Sequence, residues 1–270
     1  MKRWLGPMLA VAGLAAAGWF AWEHLDDAVA ALAGGGWIGA VAATLYRFGP
    51  LLIDALAWRA LAPEGDRPPH LWMFRARWIG ESANALLPVA QVGGDVIRAR
   101  LAAWRCPRPG VMEAATLVDF LLGLATQAGF LFIGLALVAG AAGGAPAIAG
   151  GLGAAGVAAL LIALRHGGAG RLARFARRAA PGLADILEGQ DIALRAMLSD
   201  SRRLLAPATA KLAAWVLRSA EVWIIAYAID APISIAAAIV IESLSSAARS
   251  AGFAAPGALG AQEAGVLGAA

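Results

Sequence analysis

Residues 116–138 read TLVDFLLGLATQAGFLFIGLALV, and Asp119 is the single charged side chain among these 23 residues. An α-helix rises about 1.5 Å per residue, so a helix of this length covers the roughly 30 Å hydrocarbon core of a bilayer. In the whole chain, 60% of the 270 residues are hydrophobic, 15% are charged, and the mean hydropathy is +0.70. Soluble domains carry about 25% charged residues. The composition therefore predicts an integral membrane protein.

Other apolar stretches of similar length predict an all-α, polytopic membrane bundle that forms a single domain, residues 1–270. The first stretch follows Lys2 and Arg3, so a cleaved signal peptide is an alternative reading. Trp19 and Trp22 stand where a cleavage site needs small residues, which favours a retained span. The bundle is expected to have about six spans, at residues 4–22, 32–57, 116–138, 146–164, 207–229 and 232–248.

The basic residues predict the orientation of the bundle. Of the 22 Lys and Arg residues, 19 fall in regions that this layout places on one side, namely residues 2–3, 59–77, 98–108 and 165–211. The loops on the other side carry acidic residues and no Lys or Arg. The positive-inside rule then predicts a cytoplasmic N-terminus and a bacterial inner-membrane location. Because the basic residues flank apolar spans, the pI near 10 is not read as a sign of nucleic-acid binding.

Two further segments, residues 78–97 and 252–270, are apolar but interrupted by Pro and Gly. Basic clusters on both sides of residues 78–97 are predicted to be cytoplasmic, so this segment must enter and leave from the same side. It is therefore a re-entrant hairpin or an interfacial segment. Irregular backbone at membrane depth is tolerated where it is buried in protein or lines a wet cavity.

Ionisable residues inside the predicted spans are candidates for function, because such groups are costly in hydrocarbon. Arg47 and Asp54 are seven residues apart, two turns along one helix face. Arg218 and Glu221 are three residues apart and close enough to pair with each other. Glu242 lies near the middle of the sixth span. These groups form either buried pairs that set helix register or a polar pathway for a substrate or protons.

The densest group of polar residues lies in residues 81–95, ESANALLPVAQVGGD, and residues 256–263, PGALGAQE, repeat part of its pattern. In each segment a proline is followed seven residues later by an acid. Broken helices in matching positions point to the binding site of a transporter, although two ordinary Pro/Gly loops are the alternative. The candidate substrate-pathway residues are Arg47, Glu81, Asn84, Pro88, Gln91, Gly93, Gly94, Asp95, Arg218, Glu221, Glu242, Pro256, Gly257, Gly260, Gln262 and Glu263.

No pattern for catalysis or metal binding is visible. Cys106 is the sole cysteine, and the three histidines have none of the spacings that bind metal. The serines of the sixth span have no nearby histidine to activate them. We therefore expect no metal site, no cofactor, no catalytic residue and no enzymatic activity.

The polar segments resemble the lysylphosphatidylglycerol synthetase transmembrane (flippase) superfamily, and within it the hopanoid-biosynthesis-associated membrane proteins. The resemblance extends over most of the chain from about Trp58 onward. It is carried by residues 77–82 (RWIGES), 94–95 (GD), 98–100 (RAR), 221–223 (EVW), 242–244 (ESL) and 256–263.

This resemblance implies a bundle with re-entrant helices that moves or handles a membrane lipid, either a hopanoid or a phospholipid. Lipid-biosynthetic membrane proteins are possible partners, and a scaffold for such enzymes that transports nothing is the alternative function. In the wider superfamily the synthase activity belongs to a separate soluble domain, so synthesis is not implied here. Relatives usually continue with further helices after the Pro-Gly…Gln-Glu motif, so the chain is expected to be truncated relative to them.

Overall fold

The structure is a computed structural model that describes residues 19, 22–23, 25–31, 36–86, 93–142, 197–198 and 200–251. Within these residues the regular structure is helical throughout, which confirms the all-α prediction. A short 3₁₀ turn, Glu64–Asp66, connects two of the helices. The helices are α1 (Leu25–Ala31), α2 (Trp37–Leu61), α3 (His70–Leu86), α4 (Gly93–Ala103), α5 (Pro109–Ala142), α6 (Ser201–Ala228) and α7 (Ile235–Ala251).

Four predicted spans correspond to α2, α5, α6 and α7. In the described part of the chain, two helical segments are long and apolar enough to cross a membrane, Trp37–Leu61 and Pro109–Ala139. The predicted span at residues 146–164, and residues 4–22 apart from Trp19 and Trp22, lie outside the described residues.

The helix bounds differ from the predicted ones for local reasons. Helix α6 begins at Ser201, six residues before the predicted start at Pro207, because the Asp200 side chain accepts a hydrogen bond from the Arg203 N–H at 3.3 Å. Such a cap satisfies one of the free N–H groups of the first turn. Helix α5 begins at Pro109, a residue type favoured at the first helical position because its missing N–H is not needed there.

Helices α2 and α6 pack antiparallel to each other. Near one end, Gly39 lies so close to Ala228 that a Cβ on the glycine would overlap the alanine side chain. Farther along, the Tyr46 hydroxyl donates to the Leu217 carbonyl at 3.1 Å. Helix α7 packs against both α5 and α6, and α5 also contacts α2 and α4. The small Gly39 thus brings the two backbones together, and this positions the polar residues farther along both helices.

Helices α3 and α4 form an antiparallel hairpin. The Trp72 indole N–H donates to the Leu101 carbonyl at 2.7 Å, and Gly80 lies against Gly94 and Arg98 near the other end of the pair. The predicted hairpin segment was therefore too short, because its first helix already begins at His70. The hairpin tip, residues 87–92, and the second predicted broken segment, residues 252–270, lie outside the described residues. The depth of the hairpin in the membrane stays a prediction.

An apolar cluster lies where α2, α3, α4 and α5 meet near the connecting loops. Its largest member, Trp58, is fully buried and donates its indole N–H to Thr116 Oγ1 at 3.2 Å. The cluster fixes the four helix ends relative to one another. Its buried members are Trp58, Ala62, Met73, Ala76, Ala102, Cys106, Met112 and Ala115.

The loops beside this cluster are joined by an ion pair between Asp66 and Arg108. The Arg108 guanidinium donates through Nε to Asp66 Oδ1 at 3.0 Å and through Nη2 to Oδ2. These hydrogen bonds hold the pKa of Asp66 below its ordinary value. The neighbouring Cys106 thiol contacts the carbonyls of Asp66 and Arg108, and burial raises its pKa. The connection after α2 is thereby tied to the start of α5.

Candidate functional site

Charged side chains from five helices meet inside the bundle. We call this group the ion-pair network; in the described residues it contains five basic and five acidic side chains, each within 4.0 Å of an opposite charge. Its members are Arg47 and Asp54 of α2, Arg77 and Glu81 of α3, Asp95 and Arg98 of α4, Asp119 of α5, and Lys211, Arg218 and Glu221 of α6.

The spacing of charges on α2 and α6 explains why these two helices contribute half of the network. Arg47 and Asp54 are seven residues apart on α2, and Lys211 and Arg218 are seven residues apart on α6. A separation of seven residues is about two helical turns, so each pair lies on one helix face. Because α2 and α6 run antiparallel, these faces meet so that Asp54 lies near Lys211 and Arg218, and Arg47 lies near Glu221.

Asp54 is buried and has three cationic neighbours. Its Oδ2 accepts from Arg218 Nη2 at 2.7 Å and from Arg77 Nη2 at 3.2 Å. Its Oδ1 lies 3.6 Å from Lys211 Nζ. The carboxylate therefore connects α2 with α3 and α6 at one point.

Asp119 is the most deeply buried acid of the network, with no exposed surface. Its Oδ2 accepts from Arg98 Nη1 at 2.7 Å and from Arg77 Nη1 at 3.1 Å. Its Oδ1 lies 2.7 Å from Lys211 Nζ. Asp119 and Asp54 thus share the cations Arg77 and Lys211. A buried charge needs such partners, because removing one of them leaves an uncompensated charge that costs about 3–5 kcal/mol.

The network becomes more accessible towards Arg47. Glu81 accepts from Arg77 Nε at 3.1 Å and from Arg218 Nη2 at 3.4 Å, and its other oxygen lies 3.6 Å from Arg47 Nη2. Arg47 also pairs with Glu221 at 3.0 Å. The side chains of Arg47 and Glu81 are 36% and 28% exposed, against 1% for Asp119. The ion pairs therefore extend from a closed interior to an accessible end at Arg47, Glu81 and Glu221.

The hairpin positions its charged residues through a close contact between glycines. A Cβ on Gly94 would overlap the Gly80 carbonyl oxygen and would lie 2.7 Å from the Asn84 side chain. Asn84 Oδ1 accepts the Gly94 N–H at 2.7 Å, which satisfies a free donor in the first turn of α4. The next residue, Asp95, accepts a hydrogen bond from Nε of Arg98, which lies about one turn later on α4, at 2.7 Å. Asn84 and the two glycines therefore set the register at which Arg98 reaches Asp119.

Two tryptophan rings add to the binding of the arginines. The Arg98 guanidinium lies 4.7 Å from the centre of the Trp58 ring, and that of Arg218 lies 4.6 Å from the centre of the Trp215 ring. Such contacts contribute about 0.5–2 kcal/mol each, with larger values away from water. They connect the ion-pair network to the apolar core.

The structure brings several of the predicted pathway residues together and leaves others outside its described part. Arg218 and Glu221 do not pair with each other as the sequence suggested: Arg218 binds Asp54 and Glu81, and Glu221 binds Arg47. The members that meet in the network are Arg47, Glu81, Asp95, Arg218 and Glu221, while Asn84, Gly93 and Gly94 lie at the contact between α3 and α4, and Glu242 lies on α7. Residues outside the described part are Pro88, Gln91, Pro256, Gly257, Gly260, Gln262 and Glu263.

Sequence reasoning missed three basic members, because Arg77, Arg98 and Lys211 were assigned to cytoplasmic loops. All three are buried or nearly buried, with side chains 13%, 3% and 3% exposed. The spacing of two of them carried a usable signal: Arg77 precedes Glu81 by four residues, and Asp95 precedes Arg98 by three. Opposite charges at these spacings share one helix face. Without these three, sixteen of the nineteen loop-assigned basic residues remain as evidence for orientation.

In the described residues, no group of three or more His, Cys, Asp or Glu is placed to hold a metal ion. The carboxylates of the network are instead neutralised by Arg and Lys.

Helix α2 combines a buried charge with an exposed apolar surface, which is unusual for a soluble protein. Helix α2 buries Asp54 against other helices and exposes large aliphatic side chains, namely Ile38, Val41, Leu45, Leu52 and Leu56. Charged residues are almost never fully buried in soluble proteins, and charges inside a membrane domain characteristically face the bundle interior. Fold and site together define an α-helical membrane protein with an internal ion-pair network.

The chain belongs to the family described as "Lysylphosphatidylglycerol synthase TM region", whose model matches residues 5–270. This finding confirms the resemblance to the superfamily, while the resemblance to the hopanoid-biosynthesis-associated proteins stays a prediction. Neither a curated protein nor a solved structure matches the chain significantly. The protein is therefore a membrane protein of a family associated with lipid metabolism or transport.

Proposed function

We propose that the protein moves an amphipathic lipid across or between membranes, in the manner of a flippase. The observation that carries the proposal is the ion-pair network, which extends from the buried Asp119 to the accessible Arg47 and Glu81. A lipid headgroup needs polar partners on its way through hydrocarbon, and charged groups inside a membrane domain mark such pathways. The family of the chain supports a lipid as the substrate.

The accessible end of the network is the proposed contact site for the headgroup. Arg47 there can bind an anionic or hydroxyl oxygen, and Glu81 and Glu221 can accept hydrogen bonds from hydroxyl or amino groups. Each of these side chains already has an ionic partner, so a headgroup would exchange partners with the network rather than meet bare charges. The proposed substrate is a hopanoid or another amphipathic lipid such as a phospholipid, and the hopanoid rests on the sequence resemblance alone.

The proposed location is a bacterial inner membrane, with the N-terminus in the cytoplasm. It is supported by the sixteen basic residues that stay assigned to one side after the buried ones are removed. The proposal includes no enzymatic activity.

A membrane scaffold for lipid-biosynthetic enzymes is the second candidate. One observation favours it: every acid of the network has at least one cation within 4.0 Å, as expected if the charges serve only to hold helices in register. A scaffold needs the assembled helices but no exchange of partners at Arg47.

Lipid profiling of separated inner and outer membranes in a deletion strain tests the proposal. We expect one lipid class to accumulate in one membrane and the normal distribution to return with the wild-type protein. A normal distribution of every polar lipid and hopanoid in the deletion strain would end the transport proposal.

A paired substitution separates transport from scaffolding. Arg47→Gln with Glu221→Gln removes the two ion pairs that Arg47 makes at the accessible end, with Glu221 and with Glu81, and keeps the net charge. If the protein transports lipid, we expect this folded double variant to leave the lipid distribution of the deletion strain abnormal. If the protein is only a scaffold, the same variant should restore the normal distribution. Asp200→Asn with Arg203→Gln is the matched control, because this exposed pair lies outside the network.

A further inference from the structure

Helix α7 carries an acid that differs from those of the ion-pair network. Glu242 is 8% exposed, and no described residue donates a hydrogen bond to its carboxylate or lies within 4.0 Å of it as an opposite charge. The five acids of the network, in contrast, are each bound by at least one Arg or Lys. Glu242 is therefore the unpaired acid in the described part of the bundle interior.

Neighbouring hydroxyl groups do not satisfy this carboxylate. Ser243 donates to the Val240 carbonyl at 2.9 Å, Ser245 to the Glu242 carbonyl at 3.2 Å, and Ser246 to the Ser243 carbonyl at 3.1 Å. Each of these serine hydroxyls thus donates to a backbone carbonyl of its own helix and not to the Glu242 carboxylate. The packing of α7 explains this choice, because Ser243 fits directly against Gly134 of α5.

In the described part of the chain, charged groups near Glu242 come from α7 itself, α6 and α2. On α7 itself Arg249 lies two turns away, and its Nε is buried without an acceptor in the described residues. Helix α6 contributes Arg218 and Glu221, and α2 contributes Arg47.

The two nearest network arginines are already committed. Arg218 is held through its Nη2 by Asp54 and Glu81, while its Nε is buried without an acceptor in the described residues. Arg47 is held by Glu81 and Glu221. On the α5 side, Gly134 and Gln127 lie against α7, and neither carries a charge. The cations near Glu242 are thus close enough to act on it through space, but none neutralises it directly.

An ionised carboxylate without a donor or counter-ion is very costly away from water, and a bound proton removes that cost. We propose that Glu242 is a proton-binding site whose occupancy sets the arrangement of the ion-pair network. With a proton bound, the carboxyl is neutral and Arg218 stays with Asp54 and Glu81, as observed. When the proton leaves, the carboxylate competes for Arg218 or draws in Arg249. The proton site stands on its own, while its use to drive lipid movement rests on the proposed function.

Chemical labelling of the purified full chain tests the site without any transport assay. Dicyclohexylcarbodiimide reacts with protonated carboxyl groups in apolar surroundings, and peptide mass spectrometry locates the adduct. We expect an adduct at Glu242 whose yield falls as the pH rises, no adduct in Glu242→Gln, and retained labelling in Glu221→Gln. No labelling of Glu242 at any pH, or protection by sodium ions instead of by high pH, would overturn the proposal.

Stability gives a second readout that does not depend on labelling. Glu242→Gln imitates the neutral form, so we expect this variant to have the same thermal midpoint as the wild type. The midpoint of the variant should also change less with pH, because the contribution of Glu242 titration is removed. Asp119→Asn, which removes a paired charge, is expected to lower the midpoint instead. A loss of stability in Glu242→Gln equal to that in Asp119→Asn would show that Glu242 is an ordinary member of the network and would overturn the proposal.

Proteoliposomes with an imposed pH difference then test the coupling to lipid movement. We expect wild-type protein to move a fluorescent phospholipid analogue several-fold faster with the pH difference than without it, and Glu242→Gln to lose this dependence. Labelling at Glu242 without lipid movement would refute the proposed function and leave the proton site standing. Lipid movement without labelling would refute the proton site alone.

Discussion

Asp54 on α2 and Asp119 on α5 are bound by the same two cations, Arg77 and Lys211. Two carboxylates from different helices therefore share counter-charges that two other helices, α3 and α6, supply. Such sharing makes the four helices interdependent, since moving any one of them leaves a charge unpaired in the bundle interior. The arrangement suits both a transporter, in which a headgroup replaces one partner at a time, and a scaffold, in which no partner is replaced.

Removal of the charge of Asp119 should destabilise the protein strongly. Asp119→Asn keeps the size of the side chain but leaves Arg98, Arg77 and Lys211 with too little negative charge. We expect the free energy of unfolding in detergent to fall by about 3–5 kcal/mol. Arg203→Gln is the control, because its ion pair is exposed and should contribute less than about 1 kcal/mol. Equal effects of the two substitutions would show that the buried network contributes little to stability.

The contact between α3 and α4 should tolerate no side chain at Gly94. In Gly94→Ala the new methyl group overlaps the Gly80 carbonyl, a backbone atom that can move only with its helix. We expect a loss of about 1–3 kcal/mol in unfolding experiments, as for other overpacked sites.

Gly123→Ala is the matched control for that substitution, because a Cβ at this helical glycine meets nothing within 4 Å. Alanine has the higher helix propensity, so this variant should be neutral or more stable by up to about 1 kcal/mol. A Gly94→Ala protein as stable as Gly123→Ala would contradict the observed packing of the hairpin.

The contact between α5 and α7 can be tested by compensation. In Gly134→Ala the added methyl group overlaps the Ser243 side chain, so we expect destabilisation of about 1–3 kcal/mol. Adding Ser243→Gly removes the overlapping atoms and should restore part of that loss, which a double-mutant cycle measures as a coupling energy. Simple additivity of the two substitutions would mean that the helices do not cross at this point.

The loop ion pair should give an acid-dependent contribution to stability. The pKa of Asp66 in the folded protein lies below its ordinary value because Arg108 donates hydrogen bonds to it. Its stabilising contribution is therefore complete above the unfolded-state pKa of roughly 4 and is lost as the pH falls through the folded-state pKa.

Melting curves of the wild type and Asp66→Asn should therefore differ at neutral pH and converge in strong acid. Since the pair lies outside the spans, Asp66→Asn should leave labelling of Glu242 unchanged. A difference between the two proteins that persists at all pH values would show that the carboxylate charge is not the cause.

Composition and hydropathy were enough to predict the helical membrane fold, because about 20 consecutive apolar residues satisfy both helix geometry and hydrocarbon thickness. For residues 78–97 the sequence left a re-entrant hairpin and an interfacial segment as alternatives. The antiparallel packing of α3 and α4 agrees with a hairpin, and its return to the same membrane face stays a prediction. The same reasoning misplaced Arg77, Arg98 and Lys211, because a count of charges along the chain does not distinguish a residue facing solvent from one facing another helix.

The amino-acid sequence alone determined that the chain forms apolar helices carrying charges at one-turn and two-turn spacings. Such spacings define which charges share a helix face. Only the packing of the helices decided which faces meet, and therefore that Arg218 binds Asp54 rather than Glu221 and that Glu242 has no partner in the described residues. The physical reason is that two charges form a direct ion pair only when they approach within about 4 Å, and helix contacts such as Gly39 with Ala228 and Gly80 with Gly94 bring together residues that are far apart in the chain.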